Sequence, residues 1–239
     1  MPFSFEPIGT IHSCFKDKFG VPRQPGLVPS ARGTLELFAP YNRAEAWTGV
    51  EGFSHLWIQF LFHQCIRDEP GLTVRPPRLG GNQRLGVFAT RSTFRPNALG
   101  LSVVALERLE CVADKVTLHL RGLDLIEGTP VLDVKPYIPY VDAIPQARAG
   151  FAQAPPARQL NVSFSRVAMA QLAHWQSKWP ALEALVVEVI ELDPRPAYLR
   201  RRESSEGGAS RSFALRLYDL DIRWQCEGVE AVVTEILPV

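Results

Sequence analysis

The sequence predicts a mainly β protein, an antiparallel sheet or barrel over residues 1–150 followed by a small α+β domain over 158–239. Three observations lead there. Apolar strand-like runs succeed one another up to Tyr140 with few helical stretches between them. Gln153-Ala-Pro-Pro-Ala-Arg158 then has the composition of a linker. Only beyond it does helical spacing set in, with Ala168, Leu172, Trp175 and Trp179 recurring at four, three and four residues.

In chain order, residues 5–13 and 33–38 read as the first two strands. The loop between them carries Lys16, Lys18, Arg23 and three prolines, too long and proline-rich for a mere connection, which favours a binding loop over a solvated one. Residues 41–47 read as a short helix capped near Asn42. Residues 56–62 are apolar on both faces, as in a buried or barrel-closing strand, and His63 and Gln64 follow at its end. Residues 85–90 alternate like a strand; Arg95-Pro-Asn97 and Gly100 break the run before 101–109 resumes it. Further strands are expected at 115–123 and 131–135, with turns at Asp114 and Gly128. After the linker, Pro180 divides two helical stretches, and the aromatic stripe on the first is core packing. A hairpin from 198–202 and 212–224 follows, joined by a mobile segment, and 229–237 is the last strand.

Composition narrows the function. With 46% apolar and 21% charged residues the chain can bury a sizeable core, and a net charge of +1 excludes a generally polycationic nucleic-acid coat. The charge is nevertheless uneven. Between Pro70 and Leu106 there is no Asp or Glu, while Arg75, Arg78, Arg84, Arg91 and Arg95 all fall inside. Such a one-sign block suggests an anionic ligand, with nucleic acid first. Cys14, Cys65, Cys111 and Cys226 show no paired spacing, so they read as free thiols in a reducing compartment. The start of the chain lacks the pattern of a secretory signal and no apolar run reaches membrane-spanning length, so a cytoplasmic protein is expected.

Gly86-Val-Phe-Ala-Thr-Arg-Ser-Thr-Phe-Arg-Pro-Asn97 resembles the signature of the TrmO (YaeB) family of S-adenosylmethionine-dependent tRNA methyltransferases. The resemblance extends through Phe19-Gly-Val-Pro-Arg-Gln-Pro-Gly26, Ala39-Pro-Tyr-Asn42, Phe53-Ser-His-Leu-Trp57, Phe62-His-Gln64, Val74-Arg-Pro-Pro-Arg-Leu-Gly-Gly81, Leu123-Asp-Leu125, Gly128-Thr-Pro130, Asp133-Val-Lys-Pro-Tyr137 and Asp193-Pro-Arg-Pro-Ala-Tyr198. It implies a β-barrel, a homodimer, S-adenosylmethionine as cofactor and methylation of N6 of threonylcarbamoyl-adenosine beside the anticodon of tRNA. It also implies that the cofactor is held by Arg23, Gln24 and Pro25, by His63 and Gln64, by Arg91, by Leu101, and by Leu123, Asp124, Leu125 and Ile126. The sequence supports the barrel in one further respect. A doubly wound methyltransferase would show a glycine-rich strand-to-helix turn and an acid about twenty residues on, whereas Leu79-Gly-Gly-Asn-Gln-Arg-Leu-Gly86 leads into strand-like sequence and no acid appears before Glu107.

Remaining roles follow from chemistry. Arg75, Arg78, Arg84 and Arg95 are expected to meet RNA phosphates, and Arg195 and Tyr198 an anticodon-loop base, with Arg200 to Arg202 adding charge; packing of Tyr198 against the tryptophan stripe is the competing expectation. Methylating a urea-like nitrogen requires loss of a proton. Asp133 and Lys135 are the candidates to assist, although a salt bridge between them is the simpler expectation, and no base is assigned. The rival classes are a non-enzymatic RNA-binding module and a metal hydrolase built on His12, His55, His63, His119 or His174; the histidines lack metal-helix spacing, so no metal is expected.

Overall fold

The computed structural model describes residues 3–196 and 211–239. In chain order its strands are β1 (Gly9–Ser13), β2 (Arg32–Leu37), β3 (His55–Leu61), β4 (Thr73–Val74), β5 (Leu85–Gly86), β6 (Leu99–Val112), β7 (Lys115–Arg121), β8 (Thr129–Pro136), β9 (Asn161–Phe164), β10 (Arg211–Leu217), β11 (Leu220–Glu227) and β12 (Glu230–Pro238). Three α-helices intervene: α1 (Pro139–Asp142), α2 (Arg166–Trp175) and α3 (Leu182–Glu191). Contacts divide the chain into two compact units, which are not simply its two halves. The first comprises residues 1–12, 33–121 and 128–154; the second comprises 13–32, 122–127 and 155–239.

The first unit is a closed barrel of order β1-β2-β7-β6-β3-β8. Period-2 alternation makes it so: Leu56, Ile58 and Phe60 turn inward from β3 while Trp57 and Gln59 turn outward, and Val116, Leu118 and Leu120 do the same from β7. Closure pairs strands distant in sequence, β3 with β8 (Trp57 opposite Lys135) and β1 with β8 (Ile11 opposite Thr129). Gly100 of β6 lies opposite Phe60, whose ring occupies the space a side chain there would fill. Ala113 and Asp114, both at positive φ, turn β6 into β7.

The second unit is a four-stranded sheet of order β10-β11-β12-β9 with α2 and α3 packed against it. β9 joins β12 in parallel, Val162 opposite Ala231, and the other pairs are antiparallel. Ser165 caps α2, its Oγ accepting the Ala168 N–H at 3.0 Å. Leu182, Leu185, Val186, Val189 and Ile190 give α3 a broad apolar face, buried with Leu215, Leu217, Ile222, Trp224 and Val233. Trp175 and Trp179 lie 5.7 Å apart by ring centroid, and Trp179 stacks on Tyr218 at 4.9 Å, so the aromatic stripe is indeed packing.

Four local expectations are corrected. Residues 85–90 are not one strand: β5 stops at Gly86, and 87–89 form a 3₁₀ turn that buries only Val87. The short helix near Asn42 is a 3₁₀ turn at Ala44–Trp47 without a side-chain cap, and Asn42 instead bonds through its backbone to Phe38 and Val116. The run 212–224 is two strands, because Tyr218, at φ 54°, turns β10 into β11. β9 stands where no strand was expected. The proposed strand 198–202 and the segment after it lie outside the described residues. No helix among the described residues is long and apolar enough to cross a membrane.

Candidate functional site

Within the barrel unit, the end of β3 and the signature loop are tied together. The Phe62 N–H donates to the Ala98 carbonyl at 2.7 Å, which sets His63 and Gln64 beside the loop that carries Arg91 and Arg95. His63 is half-buried, and its N–H bonds the Leu61 carbonyl at 2.8 Å. Arg91 is exposed. The loop holds its shape by side-chain bonds: Thr90 Oγ1 donates to the Val87 carbonyl at 2.9 Å, Ser92 Oγ accepts the Phe94 N–H at 3.2 Å, and Arg95 Nη1 donates to the Thr90 carbonyl at 2.8 Å.

Leu101 follows on β6, its side chain outside the barrel and 53% exposed. Its register partner is Gln59, whose other neighbour is Asp133 on β8. These three outward residues form one row across the barrel wall, and Gln59 Nε2 donates to Asp133 Oδ2 at 3.5 Å. The expected Asp133–Lys135 salt bridge is not formed, although the two side chains share the outer face; Asp133 is bonded across the strands to Gln59 instead. Sequence reasoning missed Gln59. The signal was a polar residue amid an apolar strand.

In the same unit, Arg75, Arg78 and Arg84 are exposed and Arg95 is half-buried. Arg78 Nη2 donates to the Ala154 carbonyl, whereas Arg75 and Arg84 have no described partner.

Within the second unit, the two remaining groups of cofactor candidates meet each other. Gly26 N–H donates to the Gly122 carbonyl at 2.9 Å and Gly122 N–H donates to the Ala31 carbonyl at 2.8 Å, which presses the Arg23-Gln24-Pro25 bend against the Leu123-to-Ile126 turn. Gly122 sits at φ 73°, and a Cβ there would stand 3.4 Å from the Gly26 Cα, so glycine suits both backbone conformation and approach. Leu123 and Leu125 bury their side chains completely or nearly so and can offer a ligand only backbone groups. Asp124 is half-buried with Oδ1 out of solvent, Ile126 is half-buried, Arg23 is exposed and Gln24 donates to the Arg23 carbonyl.

The basic loop 14–32 is built into this unit. Phe15 pairs with Leu217, the Tyr218 N–H donates to the Cys14 carbonyl at 2.7 Å, and Glu188 of α3 accepts from Ser30 N–H at 2.8 Å and Ser30 Oγ at 3.1 Å. Glu127 accepts from Ser13 N–H at 2.6 Å and pairs with Lys16 at 3.1 Å. Burial pushes the Cys14 thiol up to about 12, which makes it a core residue and not a nucleophile.

Arg195 requires a correction. Only 4% exposed, it clasps Asp193 through both Nε (2.7 Å) and Nη2 (3.0 Å), so its guanidinium is committed inside the unit and presents no face to RNA. Tyr198, Arg200, Arg201 and Arg202 lie outside the described residues. Among the described residues no group of three or more His, Cys, Asp or Glu is placed to hold a metal ion.

A closed barrel joined to an α+β unit sets this protein in a different class from the doubly wound nucleotide-binding enzymes. Family comparison goes further. The tRNA-methyltransferase O N-terminal domain matches residues 10–143 and the TrmO C-terminal domain matches 157–239. The tRNA (adenine(37)-N6)-methyltransferase of Escherichia coli K12 is 52% identical over 93% of each chain. A Pseudomonas aeruginosa protein whose name includes S-adenosylmethionine-dependent methyltransferase is 51% identical over 94% of this chain and 93% of its own. A crystal structure of TrmO from Pseudomonas aeruginosa superposes with a TM-score of 0.80 at 40% identity, over 99% of each chain. The chain belongs to the TrmO family.

Proposed function

We propose that the chain is a tRNA methyltransferase that transfers a methyl group from S-adenosylmethionine to N6 of threonylcarbamoyl-adenosine beside the anticodon. The observation that carries this is the match of both family domains, in order, along nearly the whole chain, together with 52% identity to a tRNA (adenine(37)-N6)-methyltransferase.

The cofactor supplies an electrophilic methyl on a sulfonium centre. Because positive charge disperses during transfer, the protein's contribution is alignment and exclusion of water more than anionic stabilisation. The candidate residues fit such a group. Gln24, Gln64 and His63 offer polar groups, and the partly desolvated Asp124 carboxylate suits an ammonium or ribose hydroxyls. Leu123 and Leu125 fix the turn by burial, and Leu101 offers apolar contact. We assign Arg23, Gln24, Pro25, His63, Gln64, Arg91, Leu101 and the Leu123-to-Ile126 turn to cofactor binding. Of the two candidates to assist proton loss, a carboxylate has the lone pairs to accept and an ammonium does not, which favours Asp133, oriented by Gln59. Arg75, Arg78, Arg84 and Arg95 meet the tRNA backbone. The protein acts in the cytoplasm as a homodimer.

The test is nucleoside mass spectrometry of tRNA incubated with the purified protein and S-adenosylmethionine. Conversion of threonylcarbamoyl-adenosine to its N6-methyl form is expected; no conversion despite cofactor binding would overturn the assignment.

A further inference from the structure

Two phenylalanines of the acid-free segment face solvent where a soluble surface would ordinarily carry polar groups. Phe88 is 75% exposed and Phe94 38% exposed. Each has an arginine beside it: the Arg67 guanidinium lies 4.0 Å from the Phe94 ring centroid and that of Arg95 lies 5.9 Å from the Phe88 centroid.

The exposure is built in by the local fold. Val87, 1% exposed, anchors the 3₁₀ turn, its N–H donating to the Leu72 carbonyl at 2.9 Å, while Thr90 closes the turn through both N–H and Oγ1 on the Val87 carbonyl. With Val87 fixed inward, Phe88 points outward. The Ser92 turn fixes Phe94, and the bond from Arg95 to the Thr90 carbonyl holds that guanidinium near Phe88.

We propose that Phe88 and Phe94, with Arg95 and Arg67, form a stacking platform for unpaired bases of the RNA substrate, an inference that rests on the tRNA reading above. Charge complementarity selects this occupant. An apolar protein surface would cover the rings but offer no counter-charge to the Arg67 and Arg95 guanidiniums beside them, and Arg75 and Arg84 of the same acid-free segment have no described partner either. An unpaired nucleotide answers both features, a flat π-face for the ring and a phosphate for the cation. Paired bases present no free face, so the platform selects single-stranded loops.

The experiment uses the full chain and an anticodon stem-loop carrying 2-aminopurine in its loop. Phe88→Ala should raise Kd about 5- to 150-fold, the range expected for loss of one base–aromatic stack, and abolish part of the 2-aminopurine quenching. Phe88→Tyr should restore both and Phe88→Leu neither; Phe94→Ala should behave like Phe88→Ala. Calorimetric affinity for S-adenosylmethionine and binding to a fully paired RNA duplex should be unchanged. If Phe88→Ala and Phe88→Leu bind the stem-loop like the wild type, the platform is wrong while the tRNA reading stands. If the wild type binds cofactor but no stem-loop, both fall. If sedimentation shows that Phe88→Ala instead separates self-associated copies without changing RNA affinity per protomer, the surface is an interface between copies and the proposal is overturned.

Discussion

Replacing Gly100 by alanine tests how the barrel wall behind the signature loop is packed. A Cβ at this position would stand 2.2 Å from Phe60 Cζ, 2.3 Å from Cε2 and 2.7 Å from Cε1. That is about 1.3 Å short of the separation at which carbon pairs attract. Phe60 is 3% exposed and packs edge-on against Phe62 at 4.9 Å, so its ring cannot swing into solvent. Overpacking of this kind costs about 1–3 kcal/mol, which lowers Tm by about 2–12 °C for a protein of this size. The assay is equilibrium urea unfolding followed by tryptophan fluorescence, with Phe60→Leu as the second arm of a double-mutant cycle. Since shortening Phe60 relieves the clash, the double variant should be more stable than the two single costs predict by about 0.5–3 kcal/mol. Wild-type stability in Gly100→Ala, or strict additivity in the cycle, would refute the packing argument. Gly9 supplies the contrast: there an added Cβ would meet the Glu36 backbone carbonyl oxygen at 2.3 Å, so Gly9→Ala should destabilise the barrel and no side-chain truncation should rescue it.

Other expectations concern charge and ionisation. Arg195→Ala leaves the Asp193 carboxylate buried without its bidentate partner and should cost about 3–5 kcal/mol in denaturant unfolding; near-wild-type stability would show that the pair is not buried as described. Cys14 should resist iodoacetamide in the folded protein while exposed Cys111 reacts readily, as peptide mass spectrometry can score. The same thiol links stability to alkali: burial raises it from 9.0 to about 12, so its contribution is intact below pH 9 and is lost as pH climbs toward 12, whereas Cys14→Ala should show a flatter decline. The Asp142 carboxyl is held below the usual aspartate range by the Ile138 N–H and then by Trp57 Nε1. The Trp57 environment should therefore stay constant from neutral pH down through the ordinary aspartate range and change only as pH falls through the depressed value, a change absent in Asp142→Ala. Arg84→Ala should reduce the slope of log Kd for tRNA against log salt by about 0.9, and an unchanged slope would remove Arg84 from the phosphate contacts.

Much of the architecture was legible because it rests on local periodicity. The run of residues 56–62, apolar on both faces, announces a buried or barrel-closing strand, and Ala168 and Leu172 a helical face, before any partner is known. What stayed hidden depended on partners far away in the chain. The prolines of the 14–32 loop mark it as special, yet nothing local says that Phe15 meets Leu217 or that Ser30 bonds Glu188 across 158 residues. β9 has four residues and no pattern of its own; β12 makes it a strand. The alternation of Leu85, Val87 and Ala89 satisfies a strand equally well as a 3₁₀ turn that buries only its first residue, and the bond from Val87 N–H to the Leu72 carbonyl decides between them.

The arginines show how the same residue type acquires opposite roles. Counting charge treated Arg195 and Arg84 alike, as cations available to RNA. Desolvating a guanidinium is tolerable only beside a carboxylate that can fork with it, and Asp193, two residues upstream at φ 50°, supplies one in the most local way available. That acid was visible in Asp193-Pro-Arg195, so the motif itself contained the evidence for burial. Arg84 has no acid within its own segment and no described partner in the fold, which leaves solvent or an external anion as its counter-charge. For a basic residue in this chain, the useful sequence question is therefore which acid stands nearest, and the answer separates the arginines that hold the fold from those that can hold a substrate.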